Sequence, residues 1–318
     1  MKRTLLMLLA VAVVGAGVTP TDVQAAARKK AVAAKKKAPR AVKQNRIRVV
    51  LRAKSPRRVA SLDDARHLGL RSAAVLVLDQ TTGDILFEKN PNAVLPIASI
   101  TKLMTAMVVL DAKPDLAETL AIGDEDVDVL KGTRSRLKVG THLAREEMLR
   151  LALMSSENRA AAALSRHYPG GREAFVAAMN QKAQLLGLVD TRFHDPTGLT
   201  AANVSSPRDL AKMVDAAHQY PLIREFSTTS EGEFSIAGRP QQFRNTNTLV
   251  RSSTWEIGLS KTGYISEAGK CLVMQAWFNN KPTIIVLLDS VGRMTRVGDA
   301  NRIKRWVESA SLARPSAG

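Results

Sequence analysis

The sequence predicts an α+β fold in which a single antiparallel sheet is built from both ends of the folded body. Residues 72–78 and 85–87 are apolar runs on either side of a Thr-Gly-Asp turn, a pattern that predicts a hairpin. The runs 256–264, 270–278 and 283–288 return to strand character near the other end. Because the pattern between these regions is mostly helical, we expect a second, largely helical lobe and a cleft between the lobes.

Helical spacing of apolar residues characterises the segment between the strands. Apolar side chains recur every three or four positions in residues 99–110, 146–166 and 172–186. A further stretch, 297–310, predicts a helix that closes the chain.

The composition is that of a globular protein that begins with an export signal. Of its 318 residues, 45% are hydrophobic and 24% are charged, which excludes a wholly disordered, collagen-like or membrane-embedded chain. A basic start, an apolar run over residues 4–18 and Val-Gln-Ala at 23–25 are typical of a secretory signal peptide that is cleaved after Ala25. A retained membrane anchor is disfavoured because the run is short for a bilayer. We therefore expect export to a bacterial periplasm.

The net charge of +18 is concentrated in one short segment. Residues 28–58 hold 14 Lys and Arg side chains and no Asp or Glu, which predicts a disordered region. This segment is either a solvated spacer or a means of attraction to an anionic cell-wall or membrane surface. Export argues against nucleic acid as its partner.

Cysteine and histidine usage gives no sign of a metal or cofactor. Cys271 is the single cysteine, so an intrachain disulfide and a multi-cysteine zinc site are excluded. It lies in an apolar run and is interpreted as a buried structural thiol rather than a nucleophile. The five histidines are scattered without ligand spacing, and we expect neither metal nor cofactor.

The segment Ser99-Ile100-Thr101-Lys102 opens the first strong helix and is a candidate nucleophile with its base. Residues three apart share a helix face, and a desolvated neutral lysine can take the proton of a serine. The alternative is a helix cap beside a solvated lysine. A second match, Ser135 with Lys138, lies between two glycines without helical period, so its side chains should project to opposite faces.

Two further motifs follow the first along the chain. Ser156-Glu157-Asn158 lies in a helical pattern and would by itself be an ordinary polar turn. Lys261-Thr262-Gly263 lies in a predicted strand, where lysine and threonine can present a charge and a hydroxyl. There the glycine would leave room for the backbone of a substrate.

The three motifs in this order, after an export signal, resemble the low-molecular-mass penicillin-binding serine DD-peptidases. The closest resemblance is to the D-alanyl-D-alanine endopeptidase group, in part because Ser-Glu-Asn replaces the commoner Ser-Gly-Asn. The resemblance covers roughly residues 70–308, and it implies a β-lactamase/transpeptidase-like fold. Residues 195–199 and Asn203 match a family loop without an assigned role. The expected domains are a signal peptide at 1–25, a basic segment at 26–60 and a catalytic domain at 61–318.

The resemblance implies a role for each motif residue. Ser99 would attack a D-alanyl carbonyl of a peptidoglycan stem peptide, with Lys102 as proton acceptor. Ser156 would relay a proton to the leaving amine, and Asn158 would orient Lys102 or the substrate amide. Lys261 and Thr262 would hold a substrate carboxylate, Gly263 would complete that motif, and the backbone N–H groups of Ser99 and Tyr264 would form the oxyanion hole. Burial and the charge of Lys261 would lower the pKa of Lys102. β-Lactam antibiotics would inhibit by acylating Ser99.

Other functions remain open at this stage. A D-Ala-D-Ala carboxypeptidase would use the same motifs, although only 57 residues follow Lys261, too few for the additional β-domain and amphipathic helix of the anchored carboxypeptidases. A β-lactamase is disfavoured because no Glu-x-x-Leu-Asn segment lies between the second and third motifs. A non-catalytic polyanion-binding protein would explain the basic segment but leave all three motifs without a purpose.

Overall fold

The computed structural model describes residues 68–292 and 294–312 of the chain. The predicted signal peptide and basic segment lie outside the described residues. The strands in these ranges are β1 Ser72–Asp79, β2 Ile85–Lys89, β3 Leu95–Pro96, β4 Thr119–Ala121, β5 His142–Ala144, β6 Val204–Ser205, β7 Glu231–Ile236, β8 Arg239–Arg244, β9 Glu256–Ile265, β10 Gly269–Phe278 and β11 Lys281–Ser290. The helices are α1 Lys102–Asp111, α2 Arg145–Met154, α3 Asn158–Arg166, α4 Gly171–Leu185, α5 Pro207–His218, α6 Pro221–Thr228 and α7 Thr295–Leu312.

The main sheet is antiparallel and has the strand order β2-β1-β11-β10-β9. Strands from the beginning of the described chain pair directly with strands from its end, as Val77 with Ile285 shows. This confirms the predicted α+β class and the sheet built from both ends. Strand β9 is an edge strand of the sheet, and it carries the Lys-Thr-Gly motif.

Both faces of the sheet are buried, against different helices. On β10, Leu272, Met274 and Ala276 belong to the smaller apolar cluster, which includes Ile303 of α7. The neighbouring Val273 faces the larger cluster, to which α1–α6 contribute. Since successive side chains of a strand point to opposite faces, β10 reads as a continuous apolar run rather than an alternating one.

The predicted helix over 146–166 is wrong in one respect, because it is interrupted. Helix α2 ends at Met154, α3 begins at Asn158, and Ser156 between them has a left-handed φ of +63°. Serine side chains compete for backbone hydrogen bonds and favour helix ends, and the Ser155 hydroxyl donates to the Leu151 carbonyl at 2.9 Å. The Ser-Glu-Asn motif therefore lies at a break between two helices.

Helices α5 and α6 and the hairpin β7–β8 were not predicted from the sequence. Helix α5 begins after Ser206, whose hydroxyl accepts from the Asp209 N–H at 3.3 Å. In the hairpin β7–β8, each strand has at most two apolar side chains.

Cys271 is completely buried, as expected, and burial raises the pKa of its thiol to about 11. Within the two described ranges, every helix is too short or too polar to cross a bilayer.

Candidate active site

Ser99 lies in a single 3₁₀ turn, Ala98–Thr101, and Lys102 is the first residue of α1. The sequence predicts an α-helix from Ser99, and the structure corrects this start to the tighter turn. Ala98 has a φ of +48°, an uncommon conformation for a residue other than glycine. Ser99 and Lys102 nevertheless lie side by side, as predicted, because Lys102 Nζ is 2.9 Å from Ser99 Oγ.

The Lys102 side chain has three oxygen partners and no exposed surface. Besides Ser99, its Nζ donates to Asn158 Oδ1 and to the Thr197 carbonyl, each at 2.7 Å. A neutral amine has two N–H donors and one lone pair. If Asn158 and Thr197 take the two N–H groups, the lone pair is left for the hydroxyl proton of Ser99. The contacts therefore suit a group that accepts the serine proton and can hold it as an ammonium.

Burial lowers the pKa of Lys102 to about 7, although the charges of Asp195 and Glu157 act in the opposite direction. A fully buried lysine without a directly bonded carboxylate is uncommon in proteins, and such perturbed groups cluster at functional sites. Near neutral pH a substantial fraction of Lys102 is then unprotonated, which is the form that a general base requires.

Asn158 connects the first two motifs. It is the first residue of α3, and its Nδ2 donates to Thr133 Oγ1 at 3.1 Å. This contact directs the amide oxygen towards Lys102. Ser156, two residues earlier, accepts a hydrogen bond from Lys261 Nζ at 2.9 Å. Because of the helix break, Asn158 of this motif contacts Lys102, and Ser156 contacts Lys261.

Lys261 is as deeply buried as Lys102, with 1% of its surface exposed. Its Nζ also donates to the Thr262 carbonyl at 2.9 Å. Burial is the main cause that holds the pKa of Lys261 well below its ordinary value, followed by the charges of Lys102 and Arg296. Two neighbouring ammonium groups disfavour each other's charge, and here the charge of Lys102 is among the causes that lower the pKa of Lys261, whereas burial is the main cause for Lys102.

Gly263 lies against the turn that carries Ser99. A Cβ atom at this position would lie 2.8 Å from the Ile97 carbonyl oxygen and 3.1 Å from the Ser99 nitrogen. The glycine therefore makes room for the protein's own backbone, which differs from the expected role towards a substrate. On either side of it, Thr262 Oγ1 donates to Thr246 Oγ1 at 2.6 Å, and Tyr264 is 60% exposed.

The Gly263→Ala substitution is expected to slow acylation of Ser99 by about a hundredfold, because an added methyl group forces β9 away from the Ser99 turn. The rate of acylation by a chromogenic β-lactam measures this. Gly298→Ala is the matched control, since its Cβ would meet only the Arg302 side chain at 3.4 Å. Equal rates in the Gly263 variant and the unmodified protein would contradict the close approach.

The loop 195–199 and Asn203, which the sequence indicated without a role, hold Lys102 from the other side. The Asp195 carboxylate accepts from the backbone of Thr197 at 2.5 Å, of Gly198 at 2.6 Å and of Thr200 at 2.9 Å. This fold of the loop aims the Thr197 carbonyl at Lys102. Asn203 supports it, because its Nδ2 donates to the Asp195 carbonyl at 2.9 Å. The sequence indicated residues 195–199 as a family loop, but not the contact of this loop with Lys102.

Arg296 is a residue that sequence reasoning missed. Its NH1 donates to the Gly263 carbonyl at 3.0 Å and to the Cys271 carbonyl at 3.1 Å. The guanidinium therefore joins the start of α7 to the Lys-Thr-Gly motif of β9. One arginine near the start of a predicted helix carries no sequence signal that could have identified this position.

The second Ser-x-x-Lys match does not form a serine–lysine pair. Ser135 lies in a segment without helix or strand, where its hydroxyl donates to Glu157 Oε2 at 2.7 Å. Lys138 is exposed. The geometry therefore favours Ser99 as the nucleophile.

Comparison with known proteins places the chain in one family. A family model described as D-alanyl-D-alanine carboxypeptidase, peptidase family S11, matches residues 62–292. A D-alanyl-D-alanine endopeptidase of Pseudomonas aeruginosa is 50% identical over 245 residues, which are 76% of this chain and 79% of that protein. One of Escherichia coli with the same description is 46% identical over 257 residues, covering 80% and 83%.

The fold has relatives among solved structures. The crystal structure of the Streptomyces K15 DD-transpeptidase superposes with a TM-score of 0.70 at 28% identity and covers 74% of this chain and 97% of that one. The sheet with its flanking helices is thus the architecture that the motifs led us to expect. Because the family model matches most of the length of this chain, the chain belongs to the S11 family of serine peptidases.

Proposed function

We propose that this protein is a serine DD-endopeptidase that hydrolyses D-alanyl cross-links of peptidoglycan through an acyl-serine intermediate. The observation that carries the proposal is the set of partners around Lys102: Ser99, Asn158 and the Thr197 carbonyl, all within 2.9 Å of one buried amine. Relatives at 46–50% identity that are described as endopeptidases favour this reaction over others of the family.

In the proposed reaction Ser99 Oγ forms a bond to the D-alanyl carbonyl carbon, and its proton passes to Lys102. The tetrahedral intermediate collapses with cleavage of the C–N bond, and the leaving amine takes a proton by way of Ser156. Water then attacks the acyl-enzyme, which releases the new carboxylate and restores Ser99. The 2.9 Å contact of Lys102 Nζ with Ser99 Oγ supports the first of these proton transfers.

The third motif and the backbone would bind the substrate. Lys261 and Thr262 provide a charge and a hydroxyl for a carboxylate next to the leaving nitrogen. The approach of Gly263 to the Ser99 turn supports a role for the N–H groups of Ser99 and Tyr264 towards the developing oxyanion. β-Lactam antibiotics would enter the same site and acylate Ser99.

Acylation should depend on pH with an acid limb centred near 7, the pKa of Lys102. Below that pH Lys102 is protonated and has no lone pair, so the rate should fall about tenfold per pH unit. Stopped-flow acylation by a β-lactam between about pH 5 and 9 measures the limb. A rate that stays constant across this range would contradict Lys102 as the base.

Digestion of purified muropeptides distinguishes the two peptidase reactions. An endopeptidase converts a cross-linked dimer and one water into two monomers, whereas a carboxypeptidase releases one D-alanine from a monomeric pentapeptide. We expect the dimer to be consumed at the higher rate. If the pentapeptide alone loses alanine, the carboxypeptidase described for the family model is the better assignment.

We also propose that residues 1–25 direct export and are removed, that 26–60 form a basic segment, and that 61–318 form the catalytic domain. The charged start and the apolar run support export to the periplasm. The intact mass of the protein recovered from the periplasmic fraction tests this, because it should correspond to a chain that begins at Ala26. A mass that includes residues 1–25 would contradict the cleavage.

The basic segment is proposed to attract the enzyme to an anionic cell-wall or phospholipid surface. Its 14 positive charges act over about 8 Å at physiological salt. Deletion of residues 28–58 should leave penicillin acylation of Ser99 unchanged but release the protein from isolated walls at low salt. Equal sedimentation of both forms with walls at every ionic strength would show that the segment is a spacer.

A further inference from the structure

Three consecutive residues at the start of α3 hold alternate residues of the segment 133–137. This segment is neither helix nor strand. The contacts are Asn158 Nδ2 to Thr133 Oγ1 at 3.1 Å, Ser135 Oγ to Glu157 Oε2 at 2.7 Å and Arg159 NH1 to the Leu137 carbonyl at 2.8 Å. The segment is thus fixed to the second motif at three points, and the second Ser-x-x-Lys serine is part of the attachment.

The contact between Ser135 and Glu157 has a defined direction. Ser135 Oγ accepts the Leu137 N–H at 3.0 Å, so its own proton is available to the Glu157 carboxylate. Glu157 is the residue before α3, where the helix dipole favours a negative charge. It also precedes Asn158, whose side chain contacts Lys102 directly.

We propose that Glu157 is a positioning residue for the catalytic lysine: Ser135 holds its carboxylate, and Asn158, the next residue, contacts Lys102 directly. The inference rests on the proposed role of Lys102 as the base. Complete burial alone would make Lys102 a weak base, because desolvation favours its neutral form. The Glu157 charge offsets part of this effect and keeps the amine basic enough to take the serine proton.

Other charged groups around Lys102 come from each of the surrounding elements. Asp195, in the loop before β6, acts in the same direction as Glu157, but its carboxylate also holds that loop together. Lys261 of β9 lies near Lys102, and Arg296 of α7 acts on Lys261. Glu157 is therefore the acidic group whose charge a substitution can remove without unfolding the Thr197 loop.

The pH profile of β-lactam acylation by the full mature chain tests this role. Glu157→Gln keeps an oxygen for the Ser135 hydroxyl and removes only the charge, so the acid limb should move to lower pH by about half a unit or more. Ser135→Ala frees the carboxylate to turn away and should move the limb in the same direction by less. In the double variant the Ser135 substitution should add nothing further.

Glu267→Gln is the matched control, because it neutralises another hydrogen-bonded carboxylate whose partners are Lys131 and Ser266. Its acid limb should coincide with that of the unmodified protein. An unchanged limb in Glu157→Gln, with a normal melting temperature, would overturn the inference while leaving the base role of Lys102 intact. A profile without any acid limb in the unmodified protein would instead contradict the base role, and the inference with it.

Discussion

The Lys102→Arg substitution is expected to reduce acylation of Ser99 by about a thousandfold or more, the contribution typical of a general base. A guanidinium stays protonated at accessible pH and has no lone pair for the serine proton. It is also planar and larger, whereas the site holds a single nitrogen that contacts three oxygens. Single-turnover acylation by benzylpenicillin measures the loss.

Lys261→Arg is the matched comparison, since it makes the same chemical change in the other buried lysine. Its cation can still bind a carboxylate, so we expect mainly a higher KM for muropeptide dimers, by about tenfold, and a smaller effect on the acylation rate. Equal loss of the acylation step in both variants would show that the roles of the two lysines are divided incorrectly.

The Ser99→Ala substitution should abolish both muropeptide hydrolysis and the stable attachment of labelled penicillin. Without the hydroxyl no acyl-enzyme forms, and the expected loss of hydrolysis is about four orders of magnitude or more. Ser99 is partly buried in a turn and the lost group is small, so the melting temperature should change little.

Ser135→Ala is the control for the Ser99 variant, because Ser135 belongs to the other Ser-x-x-Lys match. Its hydroxyl donates a hydrogen bond to Glu157 rather than to a lysine. Labelled penicillin should still attach to this variant at a stoichiometry equal to that of the unmodified protein. Loss of attachment in Ser135→Ala, or retention in Ser99→Ala, would exchange the two assignments.

The predictable part of the site is the part that depends on local spacing. Ser99 and Lys102 are three residues apart in a helical pattern, so their contact follows from the geometry of a single turn. The three strands 256–264, 270–278 and 283–288 were likewise recognisable, because each is a short apolar run bounded by turn residues. Their pairing with β1 confirms the expected sheet.

The parts that could not be predicted depend on backbone atoms and on tertiary contacts. The Thr197 carbonyl that receives Lys102 is a main-chain acceptor, so no residue type indicates it. The break at Ser156 was concealed by helical periodicity on both sides of it. Gly263 was recognised, but the reason for it became clear only from the Ile97 backbone beside it.

The different charged surroundings of the two lysines also required the structure. The sequence indicated two ammonium groups in one cleft, but not which of them would be the less basic. Both are fully enclosed, and Lys261 has the additional charge of Arg296 nearby. Lys102 instead has Asp195 and Glu157 as compensating charges. These acidic groups explain why Lys102 can remain basic enough near neutral pH to accept a proton.

Ser99 is expected to be the residue that forms the acyl-enzyme. After incubation with benzylpenicillin, the protein should be digested with trypsin and the mass of each peptide measured. Cleavage after Lys89 and Lys102 releases residues 90–102, in which Ser99 is the one serine. We predict that this peptide gains the mass of one penicillin molecule and that fragmentation places it on Ser99. An adduct on any other peptide, or on Thr101 within this one, would contradict the assignment.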